Sequence, residues 1–238
     1  MCQKDGEMGL QEVEEGLAIV SAPSGAGKTT LNRRLARENA GIAITISHTT
    51  RKIRSQEEDG LHYYFVSKEE FEAQIKDGAF LEWAKVHGEF YGTSYKELSA
   101  IRELGKKPLL EIDVQGWLQT KSRVPNAASV FILPPSLKSL WNRLEKRGSD
   151  TLHKRWIRFK NGYEEIKQVA DYKYSIINRD LDEAYQKLKG IIVDHKPHED
   201  DFSHNYHDFC KELTREFHQA DWINELRRQL DDRVNPSE

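Results

Sequence analysis

The run Ser21-Ala22-Pro23-Ser24-Gly25-Ala26-Gly27-Lys28-Thr29-Thr30 follows directly on the apolar stretch Leu17-Ala18-Ile19-Val20, and Leu31, Leu35 and Ala36 come after it at helical spacing. A buried strand, a glycine-bearing turn and a helix in that order form a cradle for the phosphates of a nucleoside triphosphate. Gly25 and Gly27 let successive N–H groups converge on phosphate oxygens, and the helix adds the positive end of its dipole. Ser24, Gly25, Ala26, Gly27, Lys28, Thr29 and Thr30 are therefore the candidate triphosphate-binding residues. In this pattern Lys28 reaches the β- and γ-phosphates, and the Thr29 hydroxyl holds Mg²⁺. The general pattern places a glycine where this chain has Ala22, so a bare pattern search passes over it. An ordinary glycine-rich turn is the competing reading, and the flanking strand and helix weigh against it.

The rest of the chain limits what surrounds that cradle. A length of 238 residues suits one domain with mobile lobes better than two full domains. A net charge of −3 offers no basic footprint for nucleic acid. Two cysteines, Cys2 and Cys210, argue against a disulfide framework and for a reducing compartment. Residues 1–15 are acidic without a signal-like apolar core, and no apolar run approaches a membrane span. The expectation is a cytoplasmic protein with no membrane partner.

Short β-rich runs at Leu17–Val20, Ile42–Ile46, Pro108–Ile112, Ser129–Leu133 and Tyr174–Ile177 alternate with helical patterns, which predicts a parallel sheet covered on both faces. Ser67 with Glu70, Ser94 with Glu97, and Asp180 with Glu183 mark helix starts. Between Ser47 and Leu98 the strand-like runs Leu61–Val66, Ala79–Val86 and Glu89–Tyr91 crowd together, which predicts an inserted lobe with its own small sheet. Arg143–Gln168 is charged and mostly helical, as an arginine-bearing flap would be. The fold class is thus α/β: a three-layer phosphate-loop fold with a parallel core sheet, an inserted lobe and a helical lid. The expected boundaries are an N-terminal extension over 1–15, a domain over 16–196 and a C-terminal extension over 197–238. Within the domain the core is 16–46, 99–142 and 170–196, the lobe 47–98 and the lid 143–169.

Five further motifs follow in order: Ser47-His48-Thr49-Thr50-Arg51-Lys52-Ile53-Arg54, Tyr63-Tyr64-Phe65-Val66, Phe80-Leu81-Glu82-Trp83-Ala84, Tyr91-Gly92-Thr93-Ser94 and Glu111-Ile112-Asp113-Val114-Gln115-Gly116. In order and spacing the chain closely resembles guanylate kinase, from about Gly16 to about Lys196. The resemblance implies that Arg51, Arg54, Tyr63 and Tyr91 grip the GMP phosphate, for which guanidinium forks suit a dianion better than lysines do. It also implies that Glu82 reads guanine, with Ser47 and Thr93 donating to the carbonyl oxygen, and that Asp113 helps hold the GMP side. Arg143, Arg147 and Arg158 match the family's flap arginines, with Arg155 as the fallback for Arg158. Lys28 and Arg51 join these three as the implied catalytic set. Asn178 matches a position near the ATP base, or else it is a strand-end turn. Glu111 stands where the family commonly has aspartate, and it either contacts the metal through water or is a strand-end charge. Ile53 and Gln56 replace a proline and a glycine frequent around the Arg-x-x-Arg loop, which implies a looser loop and weaker GMP affinity.

Beyond the resemblance, Tyr206, Phe209, Leu213, Phe217, Ala220, Ile223, Leu226 and Leu230 recur at steps of three and four from Phe202 onward. This pattern predicts one long amphipathic helix whose stripe is covered by its own core or by a second copy as a homodimer. His195, His198, His204 and His207 read as a solvated linker rather than a metal site. The activity implied is Mg²⁺-dependent transfer of the ATP γ-phosphoryl group to GMP, and to dGMP. The alternatives are a module that binds phosphorylated peptides without turnover, and a kinase for another phosphorylated small molecule. An intact phosphate loop disfavours the first, and Glu82 with Ser47 and Thr93 disfavours the second.

Overall fold

The computed structural model describes residues 16–86, 88–146, 148 and 150–234. The first half of the chain runs β1 (Ala18–Ser21), α1 (Lys28–Glu38), β2 (Ile42–Ile44), β3 (His48–Thr49), β4 (Tyr64–Phe65), α2 (Lys68–Lys76), β5 (Phe80–Val86), β6 (Glu89–Ser94) and α3 (Tyr95–Glu103). Then follow β7 (Lys107–Glu111), α4 (Val114–Thr120), β8 (Ala128–Leu133), α5 (Leu137–Lys146), α6 (Leu152–Ile166), β9 (Tyr174–Ile177), α7 (Leu181–Ile192), α8 (His207–Gln219) and α9 (Asp221–Val234).

All five apolar runs became strands of one sheet, in the order β2-β7-β1-β8-β9. The pairs β1–β7, β2–β7 and β8–β9 are parallel. Ala18, Ile19 and Val20 are all fully buried, which is why β1 reads as an unbroken apolar run rather than an alternating one. The expected lobe has a four-stranded mixed sheet, β4-β3-β6-β5. Its strand β3 is only two residues long and carried no readable alternation. The run expected at Leu61–Val66 contributes only Tyr64 and Phe65. The lobe has its own small core of Phe71, Phe80 and Phe90, with Phe71 stacked on the other two at 4.5 and 5.3 Å.

The three helix starts are capped as expected. Ser67 Oγ accepts the Glu70 N–H at 3.1 Å while the Glu70 carboxylate accepts the Ser67 N–H at 2.8 Å. Asp180 accepts from the N–H groups of Asp182 and Glu183. Ser94 caps α3, but Glu97 turns away from it: its carboxylate accepts the Ile46 N–H and the Tyr64 hydroxyl, both at 2.9 Å.

The chain divides into two compact units. One holds the chain through Ser21 together with Asn32–Ser129; the other holds Ala22–Leu31 together with the residues from Val130 onward. The second unit contains the C-terminal segment, where one expectation is corrected. Instead of a single long helix from Phe202, 3₁₀ turns lead into α8, and α8 stops at Ala220, whose backbone is extended. The break has a packing reason. The stripe folds back on α5 and α6, with Phe217 stacked on Tyr163 at 3.8 Å and Trp222 at 5.7 Å from Phe159, and the extended backbone at Ala220 lets α8 and α9 each lay an aromatic ring on α6. Leu213, Phe217 and Ile223 are buried within the chain itself, so this part of the stripe packs on its own core. Among the described residues, no helix is long and apolar enough to cross a membrane.

Candidate functional site

The expected triphosphate residues lie in the second unit. Gly25 and Gly27 both have φ near +100°, the left-handed geometry that turns their N–H groups into the cradle. The Ala26 N–H donates to the Pro23 carbonyl at 2.9 Å and closes the turn. A Cβ on Gly27 would run into Asn178 Nδ2, so the loop is also held from outside. Asn178 is buried at the end of β9 and donates Nδ2–H to the Ala26 carbonyl at 2.8 Å. Its side chain therefore fastens the loop, a place that neither of its sequence readings assigned. Lys28 opens α1, and the hydroxyl-bearing Thr29 and Thr30 beside it are exposed.

Two flap arginines reach this loop. Arg143, on α5, donates to the carbonyls of Ala26 and Asn178 at 3.2 and 3.0 Å, and burial lowers its pKa from the ordinary arginine value. Arg158, on α6, donates to Ser24 Oγ at 2.7 Å and pairs with Asp150 at 2.6 Å. The fallback Arg155 points elsewhere, pairing with Glu145 and lying over the Trp141 ring at 5.4 Å. Arg147 lies outside the described residues.

The expected GMP residues lie in the first unit. Strand pairing puts Glu82 of β5 opposite Thr93 of β6, so both side chains leave the sheet on one face. Glu82 is 5 % exposed and Thr93 fully buried, and the Thr93 hydroxyl has no hydrogen-bond partner among the described residues. A buried hydroxyl without a partner is costly, so the Thr93 Oγ1 is a group that a ligand can complete. Gly116 makes room for this carboxylate: a Cβ there would meet Glu82 Oε2 at 2.6 Å. Asp113 accepts the Gly116 N–H at 2.8 Å and so caps α4, which puts Gly116 beside Glu82. Ser47 is half-buried just before β3, and its carbonyl accepts the Tyr64 N–H.

Around the expected phosphate grip, Tyr63 and Tyr91 meet edge to face at 5.9 Å, and the Arg51 guanidinium lies 5.5 Å over the Tyr63 ring. Arg51 makes a two-point pair with Glu57, at 3.0 and 2.8 Å. Arg54 is exposed, and its N–H donates to the same Glu57 carboxylate at 2.9 Å.

The guanylate kinase family model matches residues 14–195. The chain belongs to the guanylate kinase family. A guanylate kinase of Hahella chejuensis is 46% identical over 176 residues, covering 74% of this chain and 85% of the relative. One from Caldanaerobacter subterraneus subsp. tengcongensis is 43% identical, covering 76% and 87%. The crystal structure of guanylate kinase from Anaplasma phagocytophilum superposes with a TM-score of 0.61 at 31% identity, covering 77% of this chain and 87% of that one. The matched span ends before α8 and α9.

Some features of this family member were not legible as site features. The hydrogen bond from Arg51 holds the Glu57 carboxyl below the usual carboxylate range, and the same bond raises the Arg51 pKa. Five residues of irregular loop separate the two, and no sequence period predicts such a pairing. Glu97, read only as a helix-start residue, ties β4 to the chain before β3. Gly116 carried a faint signal, as the small residue three places after a helix-capping aspartate.

Proposed function

We propose that this chain transfers the γ-phosphoryl group of ATP to GMP, giving ADP and GDP, and that dGMP is also an acceptor. The observation that carries the reading is the buried pair of Glu82 and Thr93, side by side across β5 and β6. A carboxylate accepts from the ring N–H and exocyclic amine of guanine, while a threonine hydroxyl donates to the carbonyl oxygen. Adenine presents a lone pair and an amine at those places. A site of this kind rejects the wrong base by roughly 10⁴-fold, because its buried groups are then left unpaired.

On the acceptor side, Arg51, Arg54, Tyr63 and Tyr91 bind the GMP phosphate, Ser47 supports the guanine contact, and Asp113 borders the nucleotide while capping α4. On the donor side, the loop from Ser24 to Thr30 holds the ATP phosphates, and Lys28, Arg143 and Arg158 offset the charge that spreads over the moving group. Arg51 orients the attacking phosphate. Arg147 belongs to the same proposed set. An oxygen of the GMP phosphate attacks the γ-phosphorus as the bond to the β–γ bridging oxygen breaks. ADP leaves, and no general base is required because the acceptor is already ionised.

Mg²⁺ suits the donor side: the exposed Thr29 hydroxyl is the hard oxygen ligand that this ion takes, with phosphate oxygens and waters completing its shell. When bound, the ion neutralises phosphate charge. Lys28 and Thr29 within a formed cradle favour turnover over mere phosphopeptide binding. A cytoplasmic setting fits a chain with only two cysteines, which argues for a reducing compartment. The deciding experiment is ADP release from ATP against a panel of nucleoside monophosphates. GMP should be consumed and AMP should not; equal use of both overturns the reading.

A further inference from the structure

We propose that the C-terminal segment, which lies beyond the family's matched span, positions the arginines Arg143 and Arg158 that reach the phosphate loop, through Glu216 and Phe217. Both helices that carry those arginines are fastened by it. At the start of α5, the Glu216 carboxylate accepts the N–H groups of Leu137 and Lys138 at 2.9 and 3.0 Å, and Ser136 accepts that of Ser139 at 3.0 Å. The first three N–H groups of α5 are thus satisfied, two of them by a carboxylate from α8, and its charge lies at the positive end of the helix dipole. Arg143 projects from the same helix to Ala26 and Asn178.

On α6, the Tyr163 ring lies flat on Phe217, with planes 5° apart. Phe159, one turn back, meets both Phe217 and Trp222. Arg227 of α9 lies over the Phe217 ring at 5.2 Å and donates to the Phe217 carbonyl at 3.0 Å, which fixes the ring's backbone as well as its face. Arg158 sits one residue before Phe159 on this clamped helix, and its guanidinium is already at Ser24 of the phosphate loop. An α-helix moves as a unit, so the depth at which Tyr163 and Phe159 pack against Phe217 sets the reach of Arg158. Glu216 and Phe217 are positioning residues that act through Arg143 and Arg158, and they spare the donor side part of the ordering cost that a loose flap would bear on closure.

The inference rests on the donor-side role proposed for Arg158, and the test separates the two. Full-length F217A, F217Y, E216Q, R158A and F217A/R158A proteins are compared with the parent by steady-state kinetics, varying ATP and GMP separately. F217A should lose about tenfold in kcat/KM for ATP while KM for GMP stays within about twofold, because a small misplacement of a charge-stabilising group costs rate rather than acceptor binding. F217Y, which keeps the stacked ring, should recover most of the loss. The double variant should be no slower than R158A by more than about twofold, as expected of residues acting as one unit. Unchanged kinetics in F217A, an equal rise in both KM values, or additive losses in the double variant overturn the inference. Should F217A fail to fold, E216Q decides: it keeps the packing and must still lose ATP-side efficiency by about threefold, the size of one weakened charge–dipole contact. If R158A itself turns over normally, the donor-site reading falls instead, whatever Phe217 does.

Discussion

The Arg51 guanidinium and the Glu57 carboxylate form a two-point fork, Nη1 to Oε2 at 3.0 Å and Nη2 to Oε1 at 2.8 Å, within one irregular loop. The Lys52 carbonyl takes a further Nη1 hydrogen at 2.8 Å. These bonds fix a long side chain over the Tyr63 and Phe65 rings before any phosphate arrives. Glu57 orders this loop through both the Arg51 guanidinium and the Arg54 N–H. E57A should therefore raise KM for GMP about fivefold, the worth of about 1 kcal/mol of lost side-chain order, and leave KM for ATP unchanged. A fall in KM for GMP would mean instead that Glu57 competes with the substrate for the fork.

Gly116 and Glu82 give a sharper steric prediction. A Cβ on Gly116 would meet Glu82 Oε2 at 2.6 Å and the Ile112 side chain at 3.3 Å, so the carboxylate has to move. Since Glu82 is the proposed guanine reader, G116A should raise KM for GMP by at least about tenfold and cost about 1–3 kcal/mol of stability by crowding a buried site. Urea unfolding together with GMP kinetics measures both. An unchanged GMP response would place guanine recognition elsewhere.

Much of this arrangement was legible in the sequence because strong local signals agreed. The apolar runs that became β1, β7, β8 and β9 are buried on both faces, and their boundaries moved by no more than a residue or so. The phosphate loop was readable because its chemistry depends on local spacing alone. The GMP-side residues were reached through resemblance, since the pairing of Glu82 with Thr93 depends on a β5–β6 register that includes a bulge between Phe80 and Glu82. Contacts across long loops left no sequence trace: Asn178 on Ala26 spans 152 residues, and Glu216 on Leu137 spans 79. The stripe in the tail was visible, but its break at Ala220 was not, because alanine is a good helix former and packing against α5 and α6 overrides that preference.

His48 supplies a pH prediction. Its ring lies between Tyr64 at 4.8 Å and Phe80 at 5.4 Å, and its buried Nδ1 has no hydrogen-bond partner among the described residues. Burial lowers its pKa below the ordinary value of 6.5; Glu97 and Asp59 pull it back up, while Lys96 adds to the lowering. The folded form thus holds its proton less tightly than the unfolded chain does. The stability this contributes is fully present above about pH 6.5 and is lost as pH falls through the lower folded value. Urea midpoints taken from pH 7.5 down to 5.5 should fall more steeply for the parent than for H48Q; parallel slopes would contradict this account.

Asn178 separates a structural from a base-reading role on the donor side. Its amide holds the Ala26 carbonyl at 2.8 Å and stands where a Gly27 Cβ would go, while Arg143 binds the carbonyls of both Ala26 and Asn178. Removing the amide leaves a buried carbonyl short of a donor and lets the turn between Gly25 and Gly27 relax. N178A should cost about 1–2 kcal/mol of stability. It should raise KM for ATP and for GTP as phosphate donor by the same factor, since a slack cradle weakens its hold on any triphosphate. KM for the acceptor GMP should not move, because Glu82, Thr93 and Arg51 belong to the other unit. If N178A instead changes the preference between ATP and GTP, the side chain reads the donor base, and the loop-fastening role gives way to that one.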